Sequence, residues 1–455
     1  MNPCKRAIYS IFIWDILLIR YTTSILSGLD TSNLFGSADV KDGVINIEGL
    51  QTLIYGNNYF WVTYDISENA IEGEFIDATC ESVTVDGKVE QIGSSAGLGE
   101  RLILLEHNTL FSGGDFGSDN YRIPAVCTAL DGTIITAADK RIESGDLPGN
   151  IDITIRRSTD NGKTWSEPVI AADFGNNGAS DPALVVDRNT GDIILMFASH
   201  NGLFASTPSN KIRFNVSRST DNGLTWSTPQ NLSDQIYDSN WNAAWVASGS
   251  AHQMRSGRII AVVGVRPVTS NTLENHMIFS DDGGISWGYT NGAPNAAGGG
   301  NESKIVELDN GDLLMNLRST GGFRKTAVSK DLGLTWSSSL PETELIDPGV
   351  NADLIRYTST LNGFDKSRLL FSNPKSSSGR KNLHVYLSND EGDTWPELTS
   401  KKIYEGNSAY SSLTILNDGT IGLFYENGEF EAYQLSFARF SLDWLSSGTD
   451  SYVPK

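Results

Sequence analysis

Apolar and polar residues alternate over short stretches of this chain, and glycine-containing turn sequences separate the stretches. Examples are residues 44–47 (VINI) and 82–85 (SVTV), each next to an Asp-Gly pair at 42–43 or 86–87. A period of two is typical of β-strands with one buried face, since successive side chains point to opposite faces. Asp-Gly is a common hairpin turn. With few helical periodicities elsewhere, the pattern predicts an all-β protein.

One eight-residue pattern, S-x-D-x-G-x-[ST]-W, occurs five times at intervals of about 50 to 60 residues. The copies lie at 158–165, 219–226, 280–287, 329–336 and 388–395. In each copy the Asp can accept backbone N–H groups and the Gly can supply a positive φ, which is typical of a hairpin turn. The Trp is expected to fold back and seal the turn. A calcium loop is the alternative, but the copies lack the ligands and closing Glu of an EF-hand loop.

The repeat predicts blades of a propeller. About 330 residues follow Tyr121, and a period near 58 divides them into roughly six blades. We therefore predict a six-bladed β-propeller over residues 107–455, in which five blades carry the visible repeat. Residues 28–106 lack the repeat and are predicted to form a small N-terminal β-sandwich. That domain could be an accessory carbohydrate-binding or packing domain, or a purely structural cap.

The N-terminus resembles an export signal. Lys5 and Arg6 precede an apolar run over residues 7–19, as in the n-region and h-region of a signal peptide. Asp15 interrupts the run, and the run is short for a membrane span. Residues 1–27 are therefore predicted to be a possible signal peptide of a secreted or cell-surface protein, with an ordinary N-terminal extension as the alternative.

The charge is strongly acidic, with a net charge of −21 and a pI of about 4.6. Such a surface repels nucleic acid and anionic membranes, so neither is an expected partner. Three scattered cysteines, Cys4, Cys80 and Cys127, and five histidines without a ligand pair predict no metal site, no cofactor and no disulfide framework. The net negative charge of the protein repels anions. A cluster of arginines in this chain would therefore indicate a local binding site for an anion.

The tetrapeptide Tyr121-Arg122-Ile123-Pro124 precedes the first repeat, and 131–133 (DGT) and 138–141 (ADKR) follow it. This order of an R-I-P motif and downstream Asp-box repeats resembles the sialidase (neuraminidase) family, over about residues 121–426. The resemblance implies an exo-α-sialidase that acts on sialylated glycoproteins, glycolipids and oligosaccharides. It implies no obligate protein partner.

The family binds the carboxylate of sialic acid with three arginines. Guanidinium groups suit this task because they are planar, always charged and able to form two parallel hydrogen bonds. The resemblance assigns this role to Arg122 in the tetrapeptide, to Arg318 about one hairpin after 301–303 (NES), and to Arg380 in 378–380 (SGR), just before the last repeat.

The family uses a tyrosine as its nucleophile. A carboxylate would be repelled by the carboxylate on the carbon under attack, whereas a neutral phenol is not. A phenol with a pKa near 10 needs a neighbouring base. The resemblance implies that Tyr410, about thirty residues after the third arginine, is the nucleophile and that Glu302 is its base.

An Asp on a loop after the R-I-P strand is the family's acid/base. The resemblance assigns this role to Asp146, in a loop with Gly and Pro that could close, while Glu143 and Asp152 are competing candidates. It assigns Glu426 to the support of the first arginine. Arg141 and Asp181 resemble residues that contact the hydroxyl and amide groups of the sugar.

Two alternatives stay open. A non-catalytic Asp-box lectin would explain the repeats and the N-terminal region. A trans-sialidase, or an intramolecular one that releases a 2,7-anhydro sugar, would use the same site with small changes in the pocket wall. Trp241 and Trp245 are candidates for such a wall, or for core residues.

Overall fold

The computed structural model describes residues 4–5, 14–22, 34–39, 44–56, 58–66, 70–76, 79–80, 82–90, 101–143, 145–290, 292–293, 301–429 and 432–455. The chain divides into two compact units, Met1–Leu105 and Glu106–Lys455. Strands dominate both units, so the predicted all-β class is confirmed. Within the described residues no helix is long and apolar enough to span a membrane.

The first unit is built of short antiparallel strands. In its described part these are β1 Cys4–Lys5, β2 Trp14–Thr22, β3 Leu34–Asp39, β4 Val44–Ile45, β5 Tyr59–Ile66, β6 Phe75–Ile76, β7 Thr79–Cys80, β8 Val83–Val85, β9 Lys88–Glu90 and β10 Arg101–Leu102. Strand β2 lies between β3 and β5, and β1 lies between β4 and β7. Strand β6 pairs with β10, and β8 pairs with β9.

The core of this unit is a cluster of buried Ile19, Phe35, Ile47, Ile76 and Ile103. Strands β1 and β2 fall within the predicted signal segment 1–27, and the rest of that segment lies outside the described residues. The export signal and the accessory role of residues 28–106 therefore stay predictions.

The second unit carries the Asp-box repeats. Its strands are β11 Glu106–Phe111, β12 Asn120–Thr128, β13 Ile134–Arg141, β14 Ile151–Ser158, β15 Val169–Ala172, β16 Ala179–Val186, β17 Ile193–Ser199, β18 Arg213–Ser219, β19 Gln230–Asn231, β20 Trp241–Val246, β21 Gly249–Ser250, β22 His252–Gln253, β23 Ile259–Pro267, β24 Glu274–Ser280, β25 Gly288–Tyr289, β26 Ser303–Glu307, β27 Leu313–Leu317, β28 Phe323–Ser329, β29 Leu340–Ile346, β30 Asp353–Thr358, β31 Arg368–Pro374, β32 Lys381–Ser388, β33 Ser400–Asn407, β34 Ser411–Ile415, β35 Ile421–Glu429 and β36 Ala432–Phe440. Its helical elements are short: α1 Ser233–Ile236, α2 Leu442–Leu445, and 3-10 helices at Asp115–Gly117, Gly175–Asn177, Thr360–Asn362 and Glu397–Thr399.

Successive strands of this unit pair as antiparallel meanders. One sheet contains β12 to β15 and another contains β26 to β29. Strands β16 to β19 form a third sheet with β21 parallel to β16, and β20 and β22 to β25 form a fourth. The remaining strands make one continuous sheet in the order β11-β36-β35-β33-β32-β31-β30, with β34 beside β35. The first and last strands of the unit, β11 and β36, are therefore neighbours.

Each Asp-box forms the turn that its sequence predicts. In the first copy Asp160 Oδ1 accepts hydrogen bonds from Ser158 Oγ at 2.8 Å and from Thr164 N at 2.9 Å. Gly162 has a φ of +89°, and its N–H donates to Ser158 Oγ at 2.9 Å. The Trp165 indole folds back to donate to Gly162 O at 3.0 Å. The same Ser-Asp-Gly bonds recur in the other four copies, so the turn geometry follows from local residues.

The Asp-boxes also join neighbouring sheets. The Trp165 ring packs against Phe437 of β36 at a centroid distance of 5.0 Å. In the second copy Asn222 Nδ2 donates to Asp131 Oδ2 of the preceding sheet at 2.6 Å. In the third copy Gly283 O accepts a hydrogen bond from Arg218 of the preceding sheet. In the last two copies Gly333 and Gly392 lie so close to Met277 and Leu314 of the preceding sheets that an added Cβ would collide with them. The first copy therefore packs on the sheet that holds the last strand, and each later copy packs on the sheet that precedes its own.

Candidate active site

The residues predicted for catalysis and carboxylate binding come from the ends of strands in different parts of the second unit. Asp146 lies in the loop between β13 and β14, and each of the others lies in, just before or just after a strand: Arg122 in β12, Glu302 before β26, Arg318 after β27, Arg380 before β32, Tyr410 before β34 and Glu426 in β35. Up to 304 positions separate contacting members, as for Arg122 and Glu426. The site therefore exists only when the sheets have assembled.

Tyr410 lies at the centre of the cluster. Its hydroxyl donates a hydrogen bond to Glu302 Oε2 at 2.9 Å and accepts one from Arg318 Nη1 at 3.0 Å. The same Arg318 nitrogen binds Glu302 Oε2. Glu302 and Tyr410 are 5% and 7% exposed. The three groups form a closed triangle in which the phenol proton has one direct acceptor.

The phenol keeps its proton in the resting site. Burial and the charge of Glu302 raise the pKa of Tyr410, and the nearby guanidinium groups of Arg318, Arg380 and Arg122 lower it by less. A neutral phenol becomes a strong nucleophile only if its proton leaves as the new bond forms, which requires a base within hydrogen-bond reach. Glu302 meets that requirement.

Glu426 links the strand of the first arginine to the strand of the tyrosine. It is fully buried, and its Oε1 accepts hydrogen bonds from Arg122 Nε at 2.7 Å and from Ile123 N at 2.9 Å. Its Oε2 accepts a bond from Tyr410 N at 3.0 Å. A buried carboxylate with three donors is well satisfied, so Glu426 fixes Arg122 and the backbone of Tyr410 together.

The R-I-P motif breaks the regular pairing of β12. Ile123 has a φ of +59°, and the register between β12 and β13 shifts between Arg122 and Ala125. Pro124 suits this break because it has no N–H to give to the ladder. The Ile123 N–H is turned instead to Glu426, which explains why the arginine and the irregular backbone occur in one short motif.

The three arginines surround the Tyr410 ring, and they differ in whether a carboxylate neutralises their charge. The guanidinium carbons of Arg122 and Arg380 each lie 5.5 Å from the ring centroid. Arg122 is paired with Glu426 and Arg318 with Glu302. Arg380 makes no ion pair within the part of the chain that the structure describes. The cluster therefore carries about one uncompensated positive charge, which favours a carboxylate ligand.

The loop after β13 holds the predicted acid/base at the surface. The Asp146 side chain is 86% exposed, and its Oδ1 lies 2.9 Å from Arg141 Nη2. The neighbouring Leu147 packs on an apolar cluster beneath the loop. That cluster consists of Ala198, Ile212, Ala243 and Trp245. Asp146 is thus accessible to solvent while the loop beside it is anchored.

The two competing acidic residues have different surroundings. Glu143 is exposed, and Asp152 is a buried residue of β14 opposite Lys140. Burial and the charge of Asp173 raise the pKa of Asp152 to about 6. Among the ion pairs of the described residues, Asp146 and not these two binds Arg141.

Asp181 and Arg141 are joined by Asp139, a residue that no sequence motif indicates as part of the site. The carboxylate of Asp139 is fully buried and accepts hydrogen bonds from Asp181 N at 3.0 Å and from Arg141 Nη2 at 3.2 Å. Burial, together with the charges of Asp139, Glu302 and Asp146, raises the pKa of Asp181 well above its usual range. Asp181 therefore belongs to the same electrostatic site as Glu302.

The two tryptophans considered for a pocket wall are core residues. Trp241 and Trp245 are 5% and 6% exposed and belong to apolar clusters of the second unit. The Trp241 ring packs against the His276 ring at a centroid distance of 4.7 Å and an interplanar angle of 49°. Trp245 lies in the cluster that carries Leu147. No group of three or more His, Cys, Asp or Glu among the described residues could hold a metal ion.

Comparison with known proteins gives consistent matches. Residues 140–423 match the model of the BNR repeat-like domain. A sialidase of Bacteroides fragilis is 31% identical over 407 residues, which cover 84% of this chain and 73% of that protein. A sialidase of Micromonospora viridifaciens is 36% identical over 353 residues, covering 73% of this chain. The chain spans 53% of the length of that relative.

A solved structure also resembles this one. The Hadza microbial sialidase Hz136 aligns with a TM-score of 0.75 and 27% identity, over 96% of this chain and 92% of that chain. The similarity therefore extends beyond the Asp-box repeats to nearly the full length of both chains.

Proposed function

The chain belongs to the sialidase family, and we propose that it hydrolyses terminal α-linked sialic acids with retention, through a covalent intermediate on Tyr410. The observation that carries this proposal is the hydrogen bond from the Tyr410 hydroxyl to Glu302 inside a cluster of three guanidinium groups. Family membership favours an enzyme over the lectin alternative. Sialylated glycoproteins, glycolipids and oligosaccharides are the proposed substrates.

Substrate binding would place the sialic acid carboxylate among the arginines. Arg380 has no ion pair among the described residues. Its guanidinium group can therefore bind the ligand without breaking an existing salt bridge. Arg122 and Arg318 keep Glu426 and Glu302 as partners and supply further donors. A planar carboxylate can accept two parallel hydrogen bonds from the N–H groups along one edge of a guanidinium group.

In the first step the bond between the anomeric carbon and the leaving oxygen breaks as Tyr410 Oη forms a bond to the same carbon. The phenol proton passes to Glu302, so negative charge is never concentrated on the attacking oxygen next to the substrate carboxylate. Asp146, in its protonated form, gives its proton to the leaving oxygen. The products of this step are the free aglycone and a sialyl-enzyme.

In the second step water replaces the aglycone. Asp146, now ionised, takes a proton from water, and the oxygen attacks the anomeric carbon. Tyr410 leaves and recovers its proton from Glu302. Two displacements at one carbon return the starting configuration, so the product is released as the α anomer. The solvent exposure of the Asp146 side chain supports this role, because the carboxyl group can reach both the leaving oxygen and the incoming water.

The fold that carries this site is proposed to be a six-bladed propeller. The second unit contains four separate meanders and a continuous sheet that holds two more, β30 to β33 and β34 to β36 with β11. The contacts of the Asp-boxes support closure, because the first copy touches Phe437 of the last meander and each later copy touches the sheet before it.

Trapping of the covalent intermediate tests the proposal. A 2,3-difluoro sialic acid slows both displacement steps, and its good leaving group lets the sialyl-enzyme accumulate. Digestion and mass spectrometry are expected to locate the sugar on the peptide that contains Tyr410. Tyr410→Phe is the matched control and should stay unlabelled. A label on any other residue, or hydrolysis of substrate without a trapped species, would overturn the assignment.

A further inference from the structure

Asp139 is a buried carboxylate that contacts two predicted substrate-binding residues without lying beside the reacting atoms. It belongs to β13 and is 0% exposed. Its Oδ1 accepts a hydrogen bond from Asp181 N, and its Oδ2 accepts bonds from Ser180 Oγ at 2.6 Å and from Arg141 Nη2. One side chain therefore joins strand β13 to strand β16 at the mouth of the site.

The contact with Asp181 holds an unusual backbone. Asp181 has a φ of +60°, and the pairing of β16 with β17 shifts register between Ser180 and Ala183. A residue other than glycine in this conformation costs free energy and persists only when its surroundings enforce it. In a regular β-ladder a backbone carbonyl would accept the hydrogen bond from the Asp181 N–H, and here Asp139 accepts it instead. Asp139 thereby fixes the position of the Asp181 backbone from which the side chain extends.

The guanidinium group of Arg141 forms ion pairs with two carboxylates, one of which is Asp139. Arg141 Nη2 lies 3.2 Å from Asp139 and 2.9 Å from Asp146. Asp139 is fully buried, whereas the Asp146 side chain is almost fully exposed. When Asp146 moves toward a substrate, Arg141 keeps the buried partner and does not follow the loop.

Burial disfavours the charged form of the Asp139 carboxylate. Burial raises the pKa of Asp139 to about 6 even though Arg141 and the hydrogen bonds of Ser180 and Asp181 lower it. A buried ion pair contributes little to stability compared with well-packed apolar residues. Its role is therefore more consistent with placing Arg141 and Asp181 than with holding the sheets together.

We propose that Asp139 is a positioning residue that fixes Arg141 and Asp181 relative to each other and thereby sets the geometry in which the sugar is bound. The inference rests on the proposed function of the site. Asp139 does not touch the substrate itself, and its effect is transmitted through the two side chains that do.

A double-mutant cycle tests the proposal on the full-length protein. Asp139→Asn keeps the size of the side chain and removes the charge that Arg141 faces. We expect kcat/KM for a sialoside to fall about tenfold to a hundredfold, as for small misplacements of binding groups. In a background that carries both Arg141→Ala and Asp181→Ala the same change should cost less than about twofold, because both positioned side chains are already gone. In an Arg380→Lys background its cost should be undiminished.

Asp187→Asn is the matched control. Asp187 is also buried and also accepts backbone and side-chain hydrogen bonds, but it follows the far end of β16. Its change should alter the thermal midpoint and leave kcat/KM of the folded enzyme unchanged. Equal costs of Asp139→Asn in both backgrounds, or wild-type kcat/KM in the single variant, would overturn the proposal. Failure of the proposed function would be distinguishable, since the wild-type protein itself would then release no sialic acid.

Discussion

The Tyr410 hydroxyl lies 2.9 Å from Glu302 Oε2, and both side chains are buried. The two residues are 108 positions apart in the chain. Burial and the neighbouring carboxylate raise the pKa of the phenol, so the tyrosine rests in its neutral form. The Tyr410 hydroxyl therefore keeps its proton until it attacks an electrophilic carbon, and Glu302 is positioned to accept that proton.

Removal of the Tyr410 hydroxyl is expected to remove the nucleophile and spare the fold. Tyr410→Phe should lower kcat for a sialoside by at least about a thousandfold, in line with losses for other catalytic nucleophiles. The control is Tyr386→Phe, because the Tyr386 hydroxyl is buried and has no hydrogen-bond partner among the described residues. Steady-state kinetics with both variants checks the prediction, and near wild-type turnover of Tyr410→Phe would count against it.

Arg318→Lys is expected to be severe although the charge is kept. One Arg318 nitrogen serves both Glu302 and Tyr410, which leaves the rest of the fork for a substrate carboxylate. An ammonium group is a point charge and cannot reproduce this geometry. We expect KM to rise and kcat/KM to fall about a hundredfold.

Arg258→Lys is the control for that change, since Arg258 also holds a carboxylate, Asp281, with two nitrogens but lies outside the site. Its kinetics should match those of the wild type. An unchanged KM in Arg318→Lys would remove this arginine from the carboxylate-binding cluster.

Glu426→Gln is expected to damage both stability and activity. The carboxylate accepts bonds from Arg122, Ile123 and Tyr410. The amide NH2 of glutamine would face at least one of these donors and leave it without an acceptor. Removal of the charge of one partner in a buried ion pair lowers the free energy of unfolding by about 3 to 5 kcal/mol. Urea unfolding should show a loss of that order, and an unaltered midpoint would contradict the role given to Glu426.

A partly buried histidine should make the fold sensitive to acid. His252 lines a cavity of about 170 Å³ with Arg188, Arg255 and Arg356. Burial and the charges of these arginines lower its pKa from 6.5 to about 3. Between pH 6.5 and pH 3 the unfolded chain binds the proton and the folded chain does not, so stability falls as the pH falls.

His252→Gln removes this titration. The free energy of unfolding of the wild type should drop between pH 7 and pH 5 by about 2 kcal/mol more than that of the variant. Urea unfolding at the two pH values measures the difference. Equal losses in the two proteins would show that His252 is free to take up a proton in the folded state.

The turns of this protein could be predicted from the sequence because their bonds are local. Ser158, Asp160 and Gly162 lie within five positions, and the positive φ of the Gly and the folded-back Trp165 follow from residue types alone. The same holds for the short alternating strands, since the period of two is set by the backbone.

The functional site could not be predicted from local sequence patterns alone. Nothing in the chemistry of Glu302 and Tyr410 as separate residues indicates that they meet, and only the resemblance to a family with this arrangement brought them together. Asp139 was missed because an acidic residue among Ala138, Lys140 and Arg141 at the end of a strand suggests solvent exposure. Its burial depends on Ser180 and Asp181 in the next sheet, a contact that no local pattern encodes.

The configuration of the first product tests the central claim most directly. A proton NMR time course with α2,3-sialyllactose distinguishes the two anomers of free sialic acid before they equilibrate in water. Double displacement through Tyr410 predicts that the α anomer appears first and that the β anomer follows at the rate of mutarotation. The β anomer as the first product would mean a single displacement by water and would contradict the account.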